Sequence, residues 1–138
     1  MTSDTAAIVA RYFSVVADLG STESELRELL HPDAVFIEHP NPVRPQGGQS
    51  DVDDCVRGFM AGKSLLSDQS IDIHHFVVEG QSVAVQSTWT GVIGQNSGPF
   101  APGTTLTAHM GGFLTIRDGL IARHETYDCY EPFPTGDS

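Results

Sequence analysis

Apolar residues recur three and four positions apart in the first half of the chain and alternate with polar ones in the second. Ile8, Val9, Tyr12, Phe13, Val16 and Leu19 lie on one face of a helix spanning Ser3 to Leu19, which Gly20 ends. Thr22-x-x-Glu25 reads as a capping box for a short second helix carrying Leu26, Leu29 and Leu30 and stopping before Pro32. Residues 34–40, AVFIEHP, read as a short strand, and NPVRPQGGQS as a loop. Ser50-x-x-Asp53 resembles the cap of a third helix, with Val52, Cys55, Val56, Phe59, Met60 and the stem of Lys63 as its apolar stripe. From Ser70 onward the pattern predicts four long strands, with turn signals at Glu79-Gly80, Gly94 to Gly103 and Asp118-Gly119.

Three helices with one embedded strand, followed by four antiparallel strands, make an α+β domain whose sheet can curl around the helices. At 138 residues the chain is expected to form one domain, residues 1–138. No apolar run approaches the length of a membrane span, and the N-terminus lacks the basic start and apolar stretch of a secretion signal. A net charge of −11 argues against nucleic acid and anionic membrane surfaces as partners. Cys55 and Cys129 have no metal-type spacing and are expected as two buried, reduced thiols in a cytoplasmic protein. His74-His75 is not expected to bind metal, because adjacent strand residues face opposite ways.

The chain resembles the nuclear transport factor 2-like superfamily, and within it the SnoaL-like polyketide cyclase branch. The residues carrying the resemblance are Pro32 to Phe36 through His39-Pro40, Val83-Ala84-Val85 with Thr90-Gly91, Gly98-Pro99-Phe100, Phe113 to Ile116, and Asp118-Gly119-x-Ile121-x-x-His124. The resemblance implies a cone-shaped, curved antiparallel sheet wrapped around three N-terminal helices, and a homodimer through the outer sheet face. Thr107, Phe113 and Tyr127 would lie on that face.

The register of this superfamily would turn Ala122, His124, Thr126, Asp128 and Tyr130 inward on the last strand, leaving Arg123, Glu125, Tyr127 and Cys129 outside. Aligned on Pro40, His39 falls where the resembling isomerases carry their carboxylate base, and Tyr12 matches their hydrogen-bond-donating tyrosine. Glu38 points to the opposite side of the strand from His39. The expected catalytic residues are therefore Tyr12, His39, His124 and Asp128. Trp89, Met110 and Leu114 would floor the pocket, with Phe36 and Phe59 also touching substrate. Imidazoles titrate near neutrality and can move protons, and a phenol can stabilise a developing oxyanion.

The isomerases' second acid aligns with Gly112 or Gly111, which cannot donate from a side chain, and the cyclases' last-strand acid aligns with Thr126, two residues before Asp128. The charges of the epoxide hydrolases are missing near Ser87, Trp89 and Thr126. His109 is expected on the outer face unless Gly111-Gly112 forms a bulge. The expected function is a cofactor-independent enzyme moving protons on a small, largely apolar carbonyl compound: a cyclase, isomerase or dehydratase. A non-catalytic binder of a small apolar ligand and a dimeric assembly module are the alternatives.

Overall fold

The computed structural model describes residues 4–133. Three helices, α1 (Asp4–Ala17), α2 (Glu23–Arg27) and α3 (Val52–Leu65), cover the concave side of a six-stranded sheet. The strands are β1 (Leu30–Glu38), β2 (Gly48–Ser50), β3 (Leu66–Glu79), β4 (Ser82–Ile93), β5 (Thr105–Arg117) and β6 (Leu120–Tyr130). Their order is β2-β1-β6-β5-β4-β3, with β1 and β6 parallel and every other pair antiparallel. This is the expected α+β cone with its curved sheet.

Local chemistry fixes the boundaries. The Thr22 box closes in both directions: the Thr22 N–H donates to Glu25 Oε1 at 2.9 Å and the Glu25 N–H to Thr22 Oγ1 at 3.1 Å. Asp51, not Ser50, caps α3, accepting from the Asp54 N–H at 2.8 Å, because Ser50 is already paired with Phe36 in β2. That short strand lies inside the stretch expected to be wholly loop. Strand β3 begins at Leu66, directly after α3, rather than at Ser70. Asp118 and Gly119 both adopt positive φ (55° and 75°), as a two-residue hairpin turn between right-twisted strands requires.

Val9, Tyr12 and Phe13 of α1 pack with Leu26, Val56, Val83, Leu114, Ile116 and Ile121 into one core. Met60, expected in the apolar stripe of α3, is exposed. The pairing of β5 with β6 slips where Thr115 meets Arg123 but Ile116 meets Ile121. Ala122 is the extra residue of this bulge, so Ile121 rather than Ala122 enters the core, while the alternation from Arg123 onward follows the expected register. No slip occurs at Gly111-Gly112, and His109 lies on the outer face. Among the described residues, no helix is long and apolar enough to cross a membrane.

Candidate active site

After the Ala122 bulge, β6 turns His124, Thr126, Asp128 and Tyr130 toward the helices. β1 runs beside it in parallel, with Phe36 opposite His124 and Glu38 opposite Thr126. Phe36 and Glu38 therefore share the inner face with His124 and Thr126. These four border a cleft of ≈ 220 Å³ that Cys55 of α3 and Arg44 also line. On the other side of α3, Tyr12, Phe59, Gln69 and again Cys55 line a second cleft of ≈ 260 Å³.

The two clefts are linked by chemistry as well as position. The Tyr12 hydroxyl lies 2.8 Å from His124 Nδ1, and the rings of Tyr12 and Phe13 meet the imidazole edge-on. Desolvation lowers the His124 pKa to about 4, so the ring is neutral at pH 7. Burial, with the Cys55 thiol adding to it, raises Tyr12 well above the usual phenol range. Gly112 explains how the imidazole fits: a Cβ there would sit 3.3 Å from His124 Nε2. The missing side chain that rules out an acid at this position also makes room for His124.

Further along β6, the Thr126 hydroxyl donates to Asp128 Oδ1 at 2.6 Å. Burial raises the Asp128 pKa; the Thr126 hydrogen bond opposes this, and the Glu38 charge adds to it. Tyr130 is pushed up to about 12 by burial, with the charges of Asp128 and Glu38 contributing. The Trp89 indole N–H donates to Gln69 Oε1 at 2.9 Å, and its ring meets Tyr130 edge-on. Phe133 packs against Tyr130 and against Phe100 of the 94–104 loop, so the end of the described chain folds back as an aromatic rim.

Residues 9–124 match the family profile of the SnoaL-like domain. The chain belongs to the SnoaL-like family. Its fold is nuclear transport factor 2-like, or ketosteroid isomerase-like. IdmH of Streptomyces antibioticus, a proposed polyketide cyclase, is 22% identical with a TM-score of 0.74, over 91% of this chain and 92% of that one. AclR of Streptomyces galilaeus, a proposed hydroxylase, is 18% identical with a TM-score of 0.75, over 94% and 81%. An M. tuberculosis LEH-like epoxide hydrolase is 14% identical with a TM-score of 0.72, over 92% and 84%. No curated protein matches the sequence. At these identities the structural likenesses establish the fold.

Within this SnoaL-like cone, the expected site residues separate. Tyr12, His124 and Asp128 come to the inner side, Phe36 borders the first cleft and Phe59 the second. His39 does not reach the mouth of the pocket. Its backbone N–H continues the β1–β6 ladder to the Thr126 carbonyl at 3.1 Å, which turns its side chain to the outer face. There the imidazole stacks on Tyr127, with ring centroids 4.0 Å apart, and Nε2 donates to Glu125 Oε2 at 2.6 Å. Leu114 is fully buried in the core, and Met110, the cross-strand partner of Asp128, borders neither cleft. Cys129 is exposed on the outer face and Cys55 only half-buried, so the expected pair of buried thiols is corrected; both are free.

Glu38, Arg44, Ser50, Asp54, Cys55 and Thr126 are polar cleft residues that the sequence did not single out for chemistry. Glu38 carried a readable signal, its parity with Phe36. Among the described residues, no cluster of three or more His, Cys, Asp or Glu could hold a metal ion. The arrangement can bind an apolar body against Phe36 and Cys55, accept a proton at Glu38, and offer a hydrogen bond from a neutral imidazole.

Proposed function

We propose that this SnoaL-like protein is a cofactor-independent enzyme that moves protons on a small, largely apolar carbonyl compound of polyketide-like character, as a cyclase, isomerase or dehydratase. The observation that carries the reading is the meeting in one cleft of a carboxylate on β1, Glu38, and a neutral imidazole on β6, His124, backed by Tyr12. The register puts their backbones roughly 8 Å apart, close enough for both side chains to reach one carbonyl and its neighbouring carbon.

In this mechanism Glu38 removes a proton from the carbon next to the carbonyl. With the Tyr12 phenol donating to Nδ1, the imidazole proton sits on Nε2 and is given as a hydrogen bond to the developing enolate oxygen. Glu38 then gives the proton back to the substrate as the enolate collapses, while Asp128 accepts from the Thr126 hydroxyl and so positions that residue on the cleft wall. His39 has no part in the reaction. The reading includes a homodimer across the outer sheet face, supported by exposed Phe113 (51%), Tyr127 (45%) and Val77 (55%). The two free thiols fit a reducing, cytoplasmic compartment.

Deuterium uptake tests the proposal directly. Wild-type protein in D2O with 2-tetralone is expected to deuterate the α-carbons faster than buffer alone, and Glu38→Gln to lose about 100-fold of that rate. Uptake no faster than buffer while the ketone binds would instead favour the non-catalytic ligand-binding reading. That alternative draws on the absence, among the described residues, of any buried unsatisfied side-chain polar atom, as in a network that only orients a ligand.

A further inference from the structure

Asn41, a buried polar residue at 7% exposure, braces two residues of the first cleft's wall, Glu38 and Arg44. Its Oδ1 accepts from the backbone N–H groups of Val43 and Arg44, each at 3.0 Å, which fixes the turn after His39. Its Nδ2 donates to Glu38 Oε2 at 2.7 Å and to the His39 carbonyl at 3.0 Å. One side chain thus holds the Glu38 carboxylate and aims the segment that carries Arg44.

The Arg44 guanidinium sits over Gly48 of β2, where a Cβ would come within 2.7 Å of Cζ. Only a glycine lets the group settle there, against the cleft wall. Its hydrogen bonding is nearly unused: the contact to Glu38 Oε1 is 3.5 Å, at the limit of a hydrogen bond, although a guanidinium offers five donors. The neighbouring carboxylates have firmer partners, Glu38 in Asn41 and Asp54 in Arg57. Among the described residues, Arg44 is the one Lys or Arg on the wall of this cleft, and Ser50, two residues from Gly48 on the same side of β2, lines it too.

We infer that the first cleft takes a substrate carrying a carboxylate, and that Arg44, with Ser50, receives it and sets this specificity. The inference rests on the proton-transfer reading and narrows its substrate to an apolar carbonyl compound with one anionic end. The carboxylate lies against the guanidinium at the β2 side, the apolar body runs along Phe36 and Cys55, and the carbonyl meets His124 at the β6 side. A chain of net charge −11 repels anions in general, so a dedicated cation in an otherwise acid-rich cleft selects for a ligand that can pair with it.

Binding can be measured without knowing the natural substrate. Protein-detected NMR titrations with 2-naphthoate and its neutral counterpart 2-naphthamide are expected to give about tenfold tighter binding of the carboxylate. Shifts should map to Phe36, Cys55 and His124. In Arg44→Gln the naphthoate affinity should fall about tenfold while the amide is unchanged, and Arg44→Lys should recover part of the preference. Arg44 is half-exposed, and a thermal melt confirms that each variant folds. Equal affinities in the wild type, a preference that survives Arg44→Gln, shifts elsewhere on the protein, or no binding of naphthoate would overturn the inference. Because no turnover is read, lost preference with intact α-deuteration defeats only the carboxylate assignment. Intact preference without deuteration defeats only the enzyme reading.

Discussion

The hydroxyl of Tyr12 and Nδ1 of His124 meet at 2.8 Å across 112 residues of sequence, joining the first helix to the last strand inside the cone. The pair is neutral on both sides, because burial disfavours phenolate and imidazolium alike. A neutral pair can hold a tautomer and offer a fixed proton. In the proposed reaction such a pair would act as a donor to substrate oxygen rather than as a base.

The first prediction concerns pH. The folded pKa of His124, about 4, lies below its ordinary 6.5, so only the unfolded chain binds this proton between those values. The stability from this group is present above pH 6.5 and lost as pH falls toward 4. Urea midpoints of the wild type should therefore drop over that window, more than those of His124→Phe. The His124 ring resonances should not titrate between pH 8 and 5.

Glu38 and His39 should separate cleanly. Glu38→Gln is expected to cost about 100-fold in α-deuteration with little change in melting temperature. His39→Ala should keep the rate within about twofold, because its stack on Tyr127 and its bond to Glu125 lie on the outer face. Its stability should fall by about 1 kcal/mol. Kinetic and thermal measurements on the two variants check this together.

Asp128→Asn should stabilise the protein at pH 7. The folded pKa of Asp128 is raised, so the charged carboxylate opposes folding at neutral pH, and that penalty disappears as the group is protonated in acid. The variant should unfold at higher urea than wild type at pH 7, and the difference should shrink below pH 4. The Thr126 hydroxyl can still donate to the amide oxygen.

Adjacent glycines should respond oppositely to alanine. At Gly112 the new methyl meets His124 Nε2 at 3.3 Å, so the ring must shift and α-deuteration should fall about tenfold. At Gly111 a Cβ meets nothing within 4 Å, and alanine should be neutral or stabilising by about 0.5 kcal/mol. Comparing melts and rates of the two variants tests whether Gly112 makes room for the imidazole.

The two thiols should differ in reactivity. Cys129 is exposed, whereas Cys55 is half-buried and its pKa is pushed to about 11 by burial. Iodoacetamide at pH 8 should label Cys129 first. A bound naphthoate should slow labelling of Cys55 further, since that residue lines the first cleft. Peptide mapping against time reads both rates.

Much of the architecture was legible because its signals are local. The Thr22 box, the α3 stripe and the Asp118-Gly119 turn each act within a few residues, and the alternation of β6 from Arg123 onward survives intact. What could not be read depends on partners distant in sequence. β2 exists only because Phe36 and Glu38 offer an edge to pair with, and the Ala122 bulge arises from register with β5. The site suffered most where one residue of phase decided the outcome. Glu38 and His39 were known to face opposite ways, yet which of them faced the cleft depended on the docking of β1 against β6. A proline-anchored alignment chose His39, and the ladder chose Glu38.

The parallel seam between β1 and β6 also dictates an order of events during synthesis. Glu38 leaves the ribosome early and His124 late, and neither has its neighbour until β6 slots between β1 and β5. The helices and the β3–β5 meander can form beforehand, but the cleft cannot. An unfinished chain would carry an open sheet edge beside an uncovered Tyr12, exposed to misassembly and without its cleft. The cleft would then form in one step, when the last strand closes the seam.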